Sequence, residues 1–129
     1  MVTMKSYTNI EQSRKLAERL PLESADMKWF IPGDNKGGFI NEVSFIKNKS
    51  EYRFFDKVTD WNYAPYVPCW SLTALLNVLP HPHLEQYKDG TWTCAIFNKD
   101  NHFIDDSCGR EPVDACFEMA MKLKKTDLL

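Results

Sequence analysis

Between Pro68 and Pro80 the chain reads Pro-Cys-Trp-Ser-Leu-Thr-Ala-Leu-Leu-Asn-Val-Leu-Pro, and only Ser71, Thr73 and Asn77 break its run of apolar side chains. Proline suits the first turn of a helix, where its missing N–H would be unpaired anyway, and a second proline stops the helix at the other end. The segment predicts a helix over Pro68–Leu79. Cys69, Trp70, Leu72, Ala74, Leu75, Leu76, Val78 and Leu79 then cover almost every direction around its axis. A helix apolar on nearly all sides is a buried one, so the rest of the chain must enclose it. The run is too short to span a bilayer.

The material for that enclosure is present. The chain has 129 residues, 43% of them hydrophobic, which suits one domain spanning residues 1–129 rather than two. A chain of this size buries roughly two-thirds of its unfolded surface, so a core can form without a disulfide or metal staple. Two more helices are expected. Thr8-Asn-Ile-Glu11 fits a capping box, with the Thr8 hydroxyl accepting from the Glu11 amide, and starts a helix from about Asn9 to Leu20 that Pro21 ends. Pro112 opens the last helix, to about Lys125, with Val113, Cys116, Phe117, Ala120, Met121 and Leu123 in one apolar stripe.

Between the second and third helices the apolar period falls to two. Leu84–Lys88, Thr91–Phe97 and His102–Asp106 read as strands, and Asp89-Gly90 as a two-residue hairpin loop with both positions at positive φ. Trp92, Cys94 and Ile96 form the covered face of the middle strand. The C-terminal half therefore reads α-β-β-β-α, which gives the fold class α+β: an antiparallel sheet with helices packed on one face. Upstream, Lys28–Ile31, Phe39–Ile46 and Glu51–Phe55 read as strands, and Pro32–Gly38 as a flexible loop. The pattern does not decide whether residues 28–55 join the meander's sheet.

Charge and cysteines narrow the function classes. Sixteen basic against eighteen acidic residues leave a net charge of −2, too weak a field for general nucleic-acid or anionic-membrane binding. The densest basic run, Lys122, Lys124 and Lys125, suits the C-terminal end of a helix dipole. Cys69, Cys94, Cys108 and Cys116 contain no CxxC pair, and no secretory leader pattern precedes the domain. The expected setting is the cytoplasm, with reduced and mostly buried thiols. No cofactor is expected.

Four constellations have chemical interest. Cys69 follows Pro68 at a predicted helix start, where the dipole stabilises a thiolate; His102 and then Asp105 or Asp106 follow in the chain order of papain-type cysteine hydrolases. No upstream glycine or glutamine supplies an oxyanion hole, and packing of a small apolar residue explains Cys69 as well. His81-Pro-His83 places alternate imidazoles that could share a metal, although a metal needs three or four ligands. Trp61, Tyr63, Tyr66 and Trp70 form an aromatic run suited either to stacking against a sugar or base, or to pinning a connection onto the core. The α-β-β-β-α order is also that of double-stranded-RNA-binding domains, but Glu111 and Asp114 stand at the start of the last helix, where lysines would meet phosphates.

Tyr7-Thr-Asn-Ile-Glu-Gln-Ser-Arg-Lys-Leu-Ala-Glu18, Leu20-Pro-Leu-Glu-Ser-Ala-Asp-Met27, the Pro68–Pro80 segment and Pro112-Val-Asp-Ala-Cys-Phe-Glu-Met119 resemble a group of short uncharacterised proteins encoded in gut anaerobic bacteria, often in phage or mobile-element neighbourhoods. The resemblance covers both ends and the central helix and departs across about Lys28 to Trp61. It implies a cytoplasmic accessory protein of a mobile element and assigns no functional residue. The leading expectation is a non-enzymatic interaction domain whose partner is a protein. A cysteine hydrolase using Cys69 and His102, and a nucleic-acid-associated regulator, are the alternatives.

Overall fold

A computed structural model of the chain describes residues 4–32 and 40–123. Most of the expected Pro32–Gly38 loop, the start of the expected Phe39–Ile46 strand, and Lys124 and Lys125 lie outside the described residues. The fold is α+β, with two three-stranded antiparallel sheets. In the first sheet β1 (Met27–Phe30) lies between β2 (Glu42–Phe45) and β3 (Tyr66–Cys69). In the second, β5 (Trp92–Phe97) lies between β4 (His83–Gln86) and β6 (Phe103–Gly109). The strands within this stretch, β1 and β2, thus pair with β3 in a separate sheet rather than extending the meander.

The expected C-terminal order is present: α2 (Leu72–Val78), β4, β5, β6, then α3 (Pro112–Lys122). α3 starts on Pro112 and buries Val113, Cys116, Phe117 and Ala120 against β5 and β6. Cys94 and Ile96 meet it from β5, and Trp70, Leu75 and Leu79 complete the core with Leu16 of α1 (Ile10–Ala17). At Gly109 a Cβ would stand 2.5 Å from the Ala115 backbone nitrogen, so glycine there lets the end of β6 touch the first turn of α3.

Four expected details differ. The helix expected over Pro68–Leu79 starts at Leu72, and Tyr66–Cys69 is strand. Proline drives its predecessor toward extended backbone, and Pro68 sits where β3 has little ladder beyond it, only the isolated bridge Tyr7↔Ser71. Ser71 is the N-cap, its hydroxyl accepting the Ala74 N–H at 3.1 Å. Burial of this segment is shared between a strand and a short helix, and Leu72, Leu76 and Val78 stay partly exposed.

The capping box of α1 is built one residue later than expected. Asn9 Oδ1 accepts the Gln12 N–H at 2.8 Å, and Gln12 Oε1 accepts the Asn9 N–H at 3.1 Å. Thr8 is instead fully buried. Its hydroxyl accepts the Trp70 N–H at 3.2 Å and pairs with the Ser13 hydroxyl at 2.7 Å. The hairpin after β4 has three loop residues, with Tyr87 N–H donating to the Thr91 carbonyl at 2.8 Å and Gly90 N–H to the Tyr87 carbonyl at 3.0 Å. Gly90 alone carries positive φ, at 93°, while the Asp89 carboxylate takes the Thr91 N–H and hydroxyl.

The segment expected as a third upstream strand is a 3-10 helix, Lys49–Phe55. Its start is closed by Glu51, whose carboxylate accepts the Lys47 and Asn48 N–H groups at 2.7 and 2.8 Å and pairs with Lys28 of β1. These contacts, the Lys28 bond first, hold the Glu51 carboxyl down at about 2. That clamp lays the helix across the face of the first sheet and sets up the surface described next.

Candidate functional site

Opposite sides of the Lys49–Phe55 helix have opposite fates. Phe55 turns inward, 2% exposed, edge-on to Tyr52 and Trp61 at 6.2 and 6.0 Å. Tyr52 is anchored by its hydroxyl, which donates to the Ala25 carbonyl at 2.6 Å. Phe54 turns outward, 47% exposed, and stacks on Tyr66 of β3 with centroids 4.4 Å apart and planes 21° apart. Tyr66 in turn meets its cross-strand partner Phe30 of β1 at 5.1 Å. Three rings from three elements thus form one partly exposed row.

Beside the row lies an open depression of about 640 Å³ walled by Arg53, Phe54, Asp56, Lys57, Asp60 and Tyr63. Tyr63 is held at its mouth by a short 3-10 turn, Trp61–Tyr63, which Asp60 caps by accepting the Asn62 N–H at 2.9 Å. The Trp61 carbonyl accepts Arg14 Nε at 3.2 Å, which ties that turn to α1. The Tyr63 side chain itself is 86% exposed. A large ring held on anchored backbone and left in water is a candidate contact surface.

The expected aromatic run therefore divides. Tyr63 and Tyr66 belong to this surface. Trp61 packs on Phe55, and Trp70 is fully buried with Nε1 donating to Ser24 Oγ at 2.9 Å. Phe30, Phe54, Arg53 and Lys57 were not among the expected site residues. The one available signal was Asn48-Lys-Ser-Glu51, itself a capping-box pattern, which marks a helix start and puts Phe54 and Phe55 on different sides.

The structure does not bring Cys69 and His102 together. Cys69 ends β3 rather than starting a helix, is fully buried, and donates its thiol to the Thr8 carbonyl at 3.3 Å. Burial pushes that thiol up to about 11, against the pull of the Thr8 and Ser13 hydroxyls; a group so placed is a poor nucleophile at neutral pH. His102 precedes β6 in the other sheet and is exposed, its backbone N–H tied to Asn98 Oδ1.

Asp105 and Asp106 guard an edge instead. The Asp105 carboxylate accepts the Asp106 N–H at 2.8 Å, and Lys122 of α3 donates to the Asp106 carbonyl at 2.6 Å. Backbone groups of the edge strand are thereby partnered by side chains rather than offered to another strand.

His81 stands in the turn after α2 with φ of 39°, and His83 on β4 rests against Phe97 at 4.6 Å. Among the described residues no group of three or more His, Cys, Asp or Glu is placed to hold a metal. Glu111 and Asp114 at the start of α3 are engaged by Lys5, through its backbone N–H at 3.2 Å and its ammonium at 2.7 Å.

A second depression, of about 530 Å³, lies between Tyr7, Met27, Phe45 and Ser71. The carboxylate there, Asp26, spends both oxygens on the Ser71 N–H and hydroxyl. The aromatic row with the Tyr63 depression is thus a surface that joins exposed rings to an open cavity. No family model, curated protein or solved structure matches this chain.

Proposed function

We propose that this chain is a non-enzymatic interaction domain that holds a protein partner against Phe30, Phe54, Tyr63 and Tyr66. The observation that carries the reading is the exposed Phe54–Tyr66 stack beside the 86% exposed Tyr63, on backbone fixed by the Glu51 clamp and the Asp60 cap. Aromatic side chains bring large contact area at low entropy cost, which is why they recur as interface anchors. The depression is open and wide, as a docking surface requires, rather than deep and enclosed like most small-molecule sites.

An accessory protein of a mobile element, the role that the sequence resemblance implies, is consistent with a domain that works by binding. The four cysteines are free, which suits the reducing cytoplasm. No helix among the described residues is long and apolar enough to cross a membrane.

The test is affinity capture with the wild-type chain and with a Phe54→Ser, Tyr63→Ser double variant whose thermal unfolding is followed in parallel. A partner held by the wild type and lost by a folded variant supports the reading. A partner retained at equal yield by the variant overturns it.

A further inference from the structure

We infer that Cys94 and Cys116 are an oxidisable pair, which a peroxide closes into a disulfide between β5 and α3 without unfolding the chain. The pair belongs to the second sheet and α3, and owes nothing to the proposed interaction surface on the first. Both side chains are fully buried in one core cluster. Cys116 follows Ala115, whose backbone nitrogen lies only 2.5 Å from where a Gly109 Cβ would stand. With Gly109, Ala115 and Ala120 all small, α3 settles low on the sheet beside Cys94. A disulfide requires such a close approach, since it joins Cα atoms about 4.4–6.8 Å apart.

The two thiols already meet: Cys116 donates its S–H to the Cys94 sulfur. That bond lowers the Cys94 thiol and holds the Cys116 thiol up, so Cys94 is the thiolate of the pair. Ser107 is the cross-strand partner of Cys94 and shares the face that meets α3. It is 6% exposed, and its hydroxyl is the one buried side-chain nitrogen or oxygen without a hydrogen-bond partner among the described residues. An apolar core offers nothing to a thiolate or a sulfenic oxygen; the orphan Ser107 hydroxyl supplies the donor that either would need at Cys94. In the first step the Cys94 thiolate attacks hydrogen peroxide, an oxidant close to water in size. An S–O bond forms, the O–O bond breaks, and hydroxide leaves with the thiol's proton as water. The Cys116 sulfur then attacks the Cys94 sulfur, the S–O bond breaks, and the hydroxyl departs with the Cys116 proton as a second water. Each sulfur gives up one electron, and peroxide takes both.

The experiment treats the folded full chain, carrying Cys108→Ser to remove the exposed thiol, with hydrogen peroxide near neutral pH. Remaining thiols are alkylated in denaturant, and non-reducing peptide mapping reads the product. The expected result is a chain two hydrogens lighter, with Cys94 linked to Cys116, Cys69 still alkylated, and the link reversed by dithiothreitol. The linked chain should melt about 5 °C or more above the reduced one, because the link closes a loop in the unfolded chain. On the same background, Cys116→Ala should let Cys94 take up oxygen, whereas Cys94→Ala should leave Cys116 a thiol. The same treatment in urea should give mixed pairings that include Cys69.

If Cys94 and Cys116 both stay alkylatable in a chain whose circular dichroism is unchanged, the pair is packing alone and the inference falls. Links to Cys69 in comparable yield from the folded chain, or a Cys94–Cys116 link that forms only in urea, overturn it equally. So does a linked chain that melts no higher than the reduced one, which would show closure in a non-native arrangement.

Discussion

Replacing Thr8 by valine removes one hydroxyl and keeps the shape of the side chain. In the folded chain that hydroxyl is the acceptor for the Trp70 N–H at 3.2 Å and the partner of the Ser13 hydroxyl at 2.7 Å, with Thr8, Ser13 and Trp70 all fully buried. The Ser13 hydroxyl can turn toward the Thr8 carbonyl, 3.5 Å away. The Trp70 amide has no such recourse. A buried donor left without an acceptor costs about 1–3 kcal/mol, so the expected loss is ~2 kcal/mol. Unfolding entropy of roughly 2.1 cal/mol/K per residue turns that into a fall in Tm of about 7 °C.

Thr8→Ser keeps the hydroxyl and loses a methyl group, worth about 0.8 kcal/mol. Urea and thermal unfolding followed by circular dichroism measure all three chains. Valine within about 0.5 kcal/mol of wild type, or serine as damaging as valine, would refute the reasoning. Asn9→Ala in the same assay should cost ~1 kcal/mol, because Asn9 and not Thr8 caps α1.

Other perturbations test other joints. Gly109→Ala pushes a methyl into the Ala115 backbone nitrogen at 2.5 Å and should cost about 1–3 kcal/mol in urea unfolding; an unchanged midpoint would show that β6 and α3 are not in contact there. The Glu51 carboxyl is depressed to about 2, so its stabilisation is present above the ordinary carboxylate range near 4.5 and is lost as pH falls from there through 2. Glu51→Gln should flatten that part of the stability-versus-pH curve, and a curve identical to wild type would falsify the clamp. Iodoacetamide near neutral pH should modify the exposed Cys108 first and reach the buried Cys69 only after unfolding; rapid alkylation of Cys69 in the native chain would restore the hydrolase reading.

How much of this was legible follows from the range of each signal. The last helix and the hairpin are specified locally, by Pro112 with its apolar stripe and by Gly90; the helix starts on Pro112 as expected, and the hairpin turns at Gly90 but through three loop residues rather than two. Where two local patterns overlap, tertiary contacts choose. Thr8-x-x-Glu11 and Asn9-x-x-Gln12 are both capping boxes on paper, and the burial of Thr8 against Trp70 leaves the cap to Asn9.

The run from Pro68 to Pro80 looked like one helix because both of its parts are buried. Burial cannot distinguish a strand from a helix when every side chain is apolar. Aromatic Tyr52, Phe54 and Phe55 favoured a strand, and the Lys28 partner of Glu51, far away in sequence, tipped the balance to a helix. The proposed interaction surface shares that cause. Phe30, Phe54 and Tyr66 meet only once β1, the 3-10 helix and β3 are assembled, so Tyr66 alone stood out in the sequence, Phe54 had only the Asn48–Glu51 capping pattern and Phe30 had no mark.

Hydrogen–deuterium exchange of the chain alone and in complex with its captured partner tests the interaction surface most directly. Added protection should appear at residues 28–30 and 49–66 and should be absent from the Asp105–Asp106 edge of β6. Protection confined to β6 or to the β4 hairpin, with Phe54 and Tyr63 exchanging as in the free chain, would contradict the account.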